Sequence, residues 1–392
     1  MPKPRRSKGV LPMRTEPSPE LAELRSGVRR FVEERLEPVA QEIDRTGAVP
    51  EAAWSLMREQ GWLGMLLPPE AGGGGVDLLT YCLIMEEVAR SHRCFTLLLD
   101  ATSGLTPMGI LRHGTEAQKA RWLKGLADGT LRAAFGLTEP EAGSDAAAIR
   151  TRAERVPGGW RINGQKHWIS GGQAADVVMV MAVTDPEKRA RGGIGAFLVE
   201  RGTPGFEVTR VDTTIGSEAI KLGELTFTDC VVPEEALLGG PGEGFAIAMG
   251  SLTSGRLGVS AACIGAADRL NAMSVEHAQQ RSTFGQKLAE RQAIQWMLAD
   301  SATEIEVARA FLYDTLRRVV SGSDPGSAAS MAKLFCSEMV GWVADRAVQV
   351  HGGIGLVRGF PVERFYRDIR HYRVGEGTSE IQRMLIARDL LR

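Results

Sequence analysis

The chain has 392 residues, 43% hydrophobic and 24% charged, with a formal net charge of −1. That balance suits a soluble globular protein of two or three domains and excludes long-range capture of nucleic acid or an acidic membrane as a principal activity. Its 5 cysteines (Cys82, Cys94, Cys230, Cys263, Cys336) lack a C-x-x-C pair, and its 6 histidines are dispersed, so neither disulfides nor a protein-bound metal is expected.

Residues 1–18 carry Lys3, Arg5, Arg6, Lys8 and Arg14 among early prolines and without a long apolar core. They read as a flexible, solvated basic tail rather than a secretory signal. From Leu21, apolar residues recur at helical spacing as far as Ile43. Further helices are predicted over Glu51–Glu59, Leu78–Arg90, Leu105–His113 and Ala117–Ala127, which closes an all-α segment at residues 19–132. From Ala133 the texture changes to short β-rich runs: Ala133–Leu137, Arg150–Val156, Trp160–Asn163, Lys166–Ser170, Val177–Thr184, Ile194–Glu200, Phe206–Val211 and Gly223–Cys230. Pro157-Gly158-Gly159 and Asn163-Gly164 read as hairpin turns between them. A small sheet or barrel over residues 133–240 follows. Long amphipathic stretches then return at Leu257–Ala278, Gln292–Ser321, Ala328–Gly352 and Glu380–Leu391, which predicts a helical bundle over residues 241–392. No apolar run approaches the ~18–20 residues of a bilayer span.

One carboxylate in this last segment has an unusual setting. Val374-Gly375-Glu376-Gly377-Thr378-Ser379 places Glu376 between two glycines, ahead of a helix that Thr378 or Ser379 would cap. A general base fits there; a cap or a solvated surface group fits too, and the segment alone does not choose.

Four other motifs stand out. They are Phe135-Gly136-Leu137-Thr138-Glu139-Pro140-Glu141-Ala142-Gly143-Ser144-Asp145, Gly164-Gln165-Lys166-His167-Trp168-Ile169-Ser170-Gly171-Gly172, Arg281-Ser282-Thr283-Phe284-Gly285 with Gln292 beyond it, and Gln349-Val350-His351-Gly352-Gly353-Ile354-Gly355. Together with the Glu376 segment, and in this order on a helix–β–helix plan, they closely resemble the FAD-dependent acyl-CoA dehydrogenase family from about residue 20 to the C-terminus.

The resemblance implies an α+β fold: an N-terminal helical domain, a central small β-barrel or sheet domain and a C-terminal four-helix bundle. It implies flavin-dependent α,β-desaturation of an acyl-CoA thioester to the trans-2-enoyl-CoA, within fatty acid metabolism. Glu376 would remove the α-proton while the β-hydrogen leaves as hydride to FAD N5. Phe135, Leu137, Thr138, Ser144, Trp168, Ile169 and Ser170 would hold the flavin. Arg281, Thr283, Phe284, Gln292, Gln349, Val350, His351, Gly352 and Gly353 would reach the FAD of a neighbouring subunit, with a structural role the alternative for His351. Thr378 and Glu380 would touch the cofactor beside the base. Ser144, Arg256 and Gly377 would meet the substrate. The family further implies a homotetramer (a dimer of dimers), an electron-transfer flavoprotein as acceptor, and the bacterial cytoplasm or, in a eukaryote, the mitochondrial matrix.

The chain also departs from the family's pattern. Where some members carry the base on a bundle helix, this chain has Gly255 before Arg256, which leaves Glu376 without a rival. Many relatives have Tyr where this chain has Gly375, and the common β-domain loop is replaced by Thr214-Ile215-Gly216-Ser217-Glu218-Ala219-Ile220-Lys221. These changes keep branched, short or carrier-protein-bound acyl groups open as substrates. Thr96 stands where glutaryl-type members use arginine, which disfavours a decarboxylating enzyme, although nearby Arg93 is a candidate contact for a substrate carboxylate. A flavin oxidase or monooxygenase, and a non-catalytic scaffold, are the competing readings on the same fold.

Overall fold

The computed structural model describes residues 18–392, so the expected basic tail lies outside the described residues except for Ser18. The N-terminal helices are α1 (Pro19–Phe31), α2 (Glu37–Thr46), α3 (Glu51–Glu59), α4 (Leu78–Val88), α5 (Arg93–Ser103), α6 (Leu105–His113) and α7 (Glu116–Ala127). Local chemistry starts several of them. The Ser18 hydroxyl accepts the Leu21 N–H ahead of Pro19, Asp77 accepts from Thr80 at 2.7 Å, and Thr115 with Gln118 forms a reciprocal capping box. A π-turn at Val32–Leu36 joins α1 to α2, so the predicted periodic stretch is one helical run with a bulge.

The middle of the chain supplies β1 (Ala133–Gly136), β2 (Arg152–Val156), β3 (Gly159–Ser170), β4 (Val177–Val183), β5 (Ile194–Glu200), β6 (Phe206–Asp212), β7 (Leu222–Pro233) and β8 (Leu237–Leu238). They form one sheet in the order β6-β7-β3-β2-β4-β5-β8, with β1 added parallel to β4. β4 is buried along its whole length, as its unbroken apolar sequence demands. The two runs expected on either side of Asn163-Gly164 are a single strand. Gly164 sits at φ 148° in a bulge of β3, and Asn163 exchanges side-chain and backbone hydrogen bonds with Asp229 on β7 instead of turning the chain.

The C-terminal part holds α8 (Gly244–Gln280), a small hairpin of β9 (Ser282–Thr283) and β10 (Gln286–Lys287), α9 (Gln292–Val320), α10 (Ala328–His351), α11 (Pro361–Ile369) and α12 (Ser379–Leu390). α11 was not anticipated. It is short and strongly amphipathic, and it packs Val362, Phe365 and Ile369 into the bundle core. α8 and the Arg93–His113 stretch are long and apolar enough to cross a bilayer, but both are largely buried within the protein. Their apolarity serves a shared core that joins α4 and α5 to α8, α9 and α10.

Buried ion pairs fix these helices in register. Glu86 and Glu87 of α4 are 2% and 0% exposed. Glu86 receives Arg309 Nε at 3.0 Å and the Tyr313 hydroxyl at 2.8 Å from α9, and Glu87 takes a two-pronged contact from Arg29 of α1 at 2.9 Å. Each acidic charge is therefore compensated, which lets charged groups sit at a helix–helix junction.

Candidate active site

The hinge between the turn at Arg370–Arg373 and α12 carries Glu376. The Thr378 hydroxyl caps α12 by accepting the Ile381 N–H at 3.3 Å, which sets the direction of the chain leaving the hinge. Glu376 adopts φ +58°, a left-handed conformation that costs a non-glycine residue ~1–3 kcal/mol and persists only where the surroundings impose it. Here they do. Gln382 Nε2 donates to the Glu376 and Gly377 carbonyls at 3.0 and 2.9 Å. Lys333 Nζ donates to the Gly377 carbonyl at 2.8 Å, and Arg256 Nε reaches the Glu376 carbonyl at 3.4 Å.

The hinge backbone is thus held while the Glu376 carboxylate is left free. Its Oε2 is buried with no hydrogen-bond partner. The carboxylate lies against Gly255 of α8, where an added Cβ would meet Oε2 at 2.8 Å and Cδ at 3.0 Å. Gly255, expected only to leave Glu376 unrivalled, also provides the room that it occupies. Burial raises the Glu376 pKa to about 8, reinforced by the negative charge of Asp100 and opposed by Arg256 and Lys333. Burial likewise pushes the Lys333 ammonium down to about 8. The N–H groups of Val374 and Gly375 bond to the His371 carbonyl, whereas the Glu376 N–H makes no bond among the described residues.

The first two cofactor-type motifs come together where β1 approaches β3, inside the sheet. The His167 N–H donates to the Thr138 carbonyl at 2.8 Å, and Lys166 Nζ lies under the motif against the Leu137 carbonyl at 3.1 Å and Glu139 Oε1 at 2.7 Å. Trp168 follows at φ +54° beside a register shift in β3 and is 54% exposed, an unusual condition for a tryptophan inside a strand. Thr138 is half-exposed, Ser144 and Ser170 are exposed, and no described residue bonds to their hydroxyls. Phe135 and Leu137 are half-buried. The Ile169 side chain packs into the sheet core, so only its backbone is available to a ligand.

The third and fourth motifs meet at the far end of the bundle. His351 stacks on His277 with ring centroids 4.5 Å apart, one turn before Arg281 ends α8. His351 Nδ1 also lies 2.8 Å from the Ala347 carbonyl, and burial lowers the pKa of its ring. Arg281, Phe284, Gln292, Gln349, Gly352 and Gly353 are exposed, Thr283 is half-buried, and Val350 points into the core. Phe284 stands 98% exposed at φ +50° with the Arg291 guanidinium over its ring. Among the described residues, no hydrogen bond, ion pair or ring contact joins this end to Glu376 or Trp168. Glu380 is exposed at the start of α12, and hydrogen bonds from its own backbone and from Thr378 lower its pKa.

The departures noted in the sequence converge. A Cβ at Gly375 would meet His371 Nε2 at 2.9 Å, so the His371 ring occupies the space beside that position. The nearby Arg93 charge, with burial and Lys333, drives the His371 pKa down to about 3 and keeps the ring neutral. Arg93 is buried, lies over the Tyr372 ring and donates to Ser217 Oγ at 2.8 Å; the N–H and hydroxyl of Ser217 in turn bond Asp368. The unusual β-domain loop thus packs onto α11 through Ser217. A cleft of about 450 Å³ beside His92, Ser217 and Arg364 does not include Glu376. Its Arg364 is already paired with Asp44, and its Arg367 with Glu363 and Glu218.

Sequence reasoning missed Lys333, Gln382, Asp100 and Tyr81. Lys333 lies within a helix whose small apolar residues suggested only packing, and no local pattern marks the others. Among the described residues, no cluster of His, Cys, Asp or Glu could hold a metal ion.

A helical layer, one twisted sheet and a helical bundle, with a raised-pKa carboxyl on a strained hinge, define a three-domain flavoenzyme-type scaffold. Three consecutive family profiles match it: the acyl-CoA dehydrogenase N-terminal domain at residues 18–130, the middle domain at 134–230 and the C-terminal domain at 242–391. The chain belongs to the acyl-CoA dehydrogenase family. It is 38% identical to an acyl-CoA dehydrogenase of Bacillus subtilis across 94% of this chain and 97% of that one. The butyryl-CoA dehydrogenase of Megasphaera elsdenii superimposes with a TM-score of 0.90 at 37% identity, covering 96% of this chain and 99% of that one. The prolyl acyl carrier protein oxidase AnaB does so with a TM-score of 0.91 at 29% identity, covering 96% and 100%.

Proposed function

We propose that the chain is an FAD-dependent dehydrogenase that introduces an α,β double bond into an acyl-CoA thioester, with Glu376 as the base. The observation that carries this reading is the Glu376 carboxyl itself: one oxygen buried without a partner, a pKa of about 8, and a strained hinge that aims it. A thioester α-C–H is far less acidic than an ordinary carboxylic acid, and each pKa unit of mismatch costs ~1.4 kcal/mol. Raising the pKa from 4.5 to about 8 makes Glu376 a stronger base. The unpaired Glu376 N–H is a donor for the thioester oxygen as enolate charge develops. Arg256 steadies the carbonyl of the same residue, and Gly377 lets the substrate approach the main chain.

The residues present fit a flavin. Trp168 offers an open ring face, and the free hydroxyls of Thr138, Ser144 and Ser170, with the backbone at Leu137 and Ile169, supply polar contacts beside Phe135. Thr378 and Glu380 would flank it on the base side. When bound, the flavin supplies the two-electron acceptor that the desaturation needs. Among the described residues no hydrogen bond, ion pair or ring contact joins Arg281, Thr283, Phe284, Gln292 or the Gln349–Gly353 turn to these groups, which supports their serving the flavin of a second copy. An exposed arginine suits a pyrophosphate because its planar fork bonds two oxygens at once. A homotetramer, an electron-transfer flavoprotein as acceptor and a cytoplasmic location belong to the same proposal.

The test is direct. The purified yellow protein, mixed anaerobically with a panel of acyl-CoA and acyl-carrier-protein thioesters, should lose its flavin absorbance with at least one of them. A flavin-loaded protein that no thioester bleaches would overturn the reading. Sedimentation velocity checks the tetramer, and Arg281→Ala should lower flavin content without melting the fold.

A further inference from the structure

The space beside Glu376 is more polar than a saturated hydrocarbon chain requires. Glu376 and Tyr81 lie over neighbouring turns of one face of α8. The carboxylate rests on Gly255, and the Tyr81 ring would meet a Cβ at Gly258 at 3.2 Å, three residues further on. Both glycines admit polar side chains that any larger residue would push away. Asp100, on α5, is the third member. Its Oδ1 folds over Gly104, where a Cβ would lie 2.4 Å away, and its charge reaches both Glu376 and Tyr81.

Tyr81 is buried and Asp100 half-buried, and neither has the protein partner that such groups normally find. Tyr81 is 2% exposed, yet its hydroxyl makes no hydrogen bond to a described residue. The half-buried Asp100 carboxylate takes no hydrogen bond and no ion pair among the described residues. Lys333 and Arg256 do not reach it with a donor; they bond the Gly377 and Glu376 carbonyls. Two carboxylates and a phenol therefore lie within electrostatic reach of one another, and none of them takes a hydrogen bond from a described residue. Elsewhere in the same helical layer, Glu86 and Glu87 are matched by arginines.

Resting on the dehydrogenase reading, we infer that Asp100, with Tyr81, is a substrate-recognition site for a protonated amine on the acyl group of the thioester. A cationic N–H group supplies the positive charge and the donors that this space lacks, whereas a plain alkyl chain leaves Asp100 unpaired. Discrimination of this kind is large, because a site built for a donor rejects the isostere that lacks one.

The experiment measures binding by calorimetry to flavin-loaded Glu376→Gln, in which turnover does not interfere. It uses matched CoA thioesters in which carbon replaces nitrogen: prolyl against cyclopentanecarbonyl, and 5-aminopentanoyl against hexanoyl. At least one amine should bind ten-fold or more tighter than its isostere. In the Glu376→Gln/Asp100→Leu double variant that preference should vanish or reverse, with flavin content and melting temperature checking the fold. Equal binding within every pair, or preference for the carbon isosteres, overturns the inference, and so does a preference that survives Asp100→Leu. Anaerobic bleaching of the wild type by the same compounds separates this from the underlying reading. Bleaching by alkyl thioesters without amine preference sinks the amine site alone. Preferential amine binding without bleaching by any thioester keeps the site but removes the dehydrogenase assignment.

Discussion

Glu139 and Glu376 both hold a carboxyl oxygen out of solvent within the influence of a lysine, and the two lysines treat them in opposite ways. Glu139 receives Lys166 Nζ at 2.7 Å, the Arg150 N–H at 2.6 Å and the Thr151 N–H at 3.0 Å. Burial alone would raise its pKa, but Lys166 and these hydrogen bonds carry it below the ordinary value. Lys333 instead spends its donor on the Gly377 carbonyl, so the Glu376 carboxyl keeps the burial penalty and its pKa rises to about 8. The same residue types make a structural strut in one place and a reactive group in the other. The direction of a few N–H bonds separates them.

The sharpest test of that contrast is Glu376→Gln, which should keep flavin and lose substrate-driven flavin reduction by ~10³-fold or more, at the upper end of general-base effects. The same variant should melt higher at alkaline pH. A folded pKa above the unfolded one contributes stability that is fully present below pH 4.5 and lost as pH rises through about 8. Glutamine has no proton to lose, so its advantage in melting temperature should grow from pH 5 to pH 8. An equal advantage at both ends would count against a raised Glu376 pKa.

On the other side, Lys166→Met strands a buried carboxylate and should cost ~3–5 kcal/mol in urea unfolding. Adding Glu139→Leu should recover most of that loss, since removing both charges leaves neither unpaired. If the double variant is as unstable as the single, the pair does more than neutralise charge beneath the Leu137–Thr138 segment.

A smaller effect belongs to Gly255→Ala. The new methyl would lie 2.8 Å from Glu376 Oε2 and must displace the carboxylate. Misplacing a catalytic group by about an ångström costs ~10²-fold, so kcat should fall by roughly 10- to 100-fold while flavin content and melting temperature hold. Wild-type kcat in this variant would mean that the carboxylate moves freely in the space.

Much of this was legible in the sequence because it is written locally. Helical periodicity, the change of texture at Ala133 and the glycines around Glu376 are all short-range signals, and the helix–sheet–helix plan follows from them. The continuity of β3 was not legible, because Asn163-Gly164 has the composition of a turn and only the pairing with Asp229 shows a bulge. Nor were the groups that tune Glu376. Asp100 and Lys333 come from α5 and α10, and through-space charge brings them to bear on one buried carboxyl oxygen. Sequence spacing carries no record of which buried donor points where.

The comparison can be sharpened through pH. If Glu376 acts as the base, kcat/KM reports its ionisation in the free enzyme, and the ionised form is the active one. Activity should therefore rise with pH and level off above about 8. Two variants should move that rise in opposite directions. Asp100→Asn removes a negative neighbour that raises the Glu376 pKa, so the curve should shift toward acid. Lys333→Met removes a positive neighbour that lowers it, so the curve should shift toward alkali. Because Asp100 itself has a pKa raised by burial to about 6, its influence should fade below that pH, and the two wild-type ionisations belong to the pair rather than to either residue alone. Shifts of like sign in both variants would mean that packing at the hinge, rather than charge, sets the basicity of Glu376.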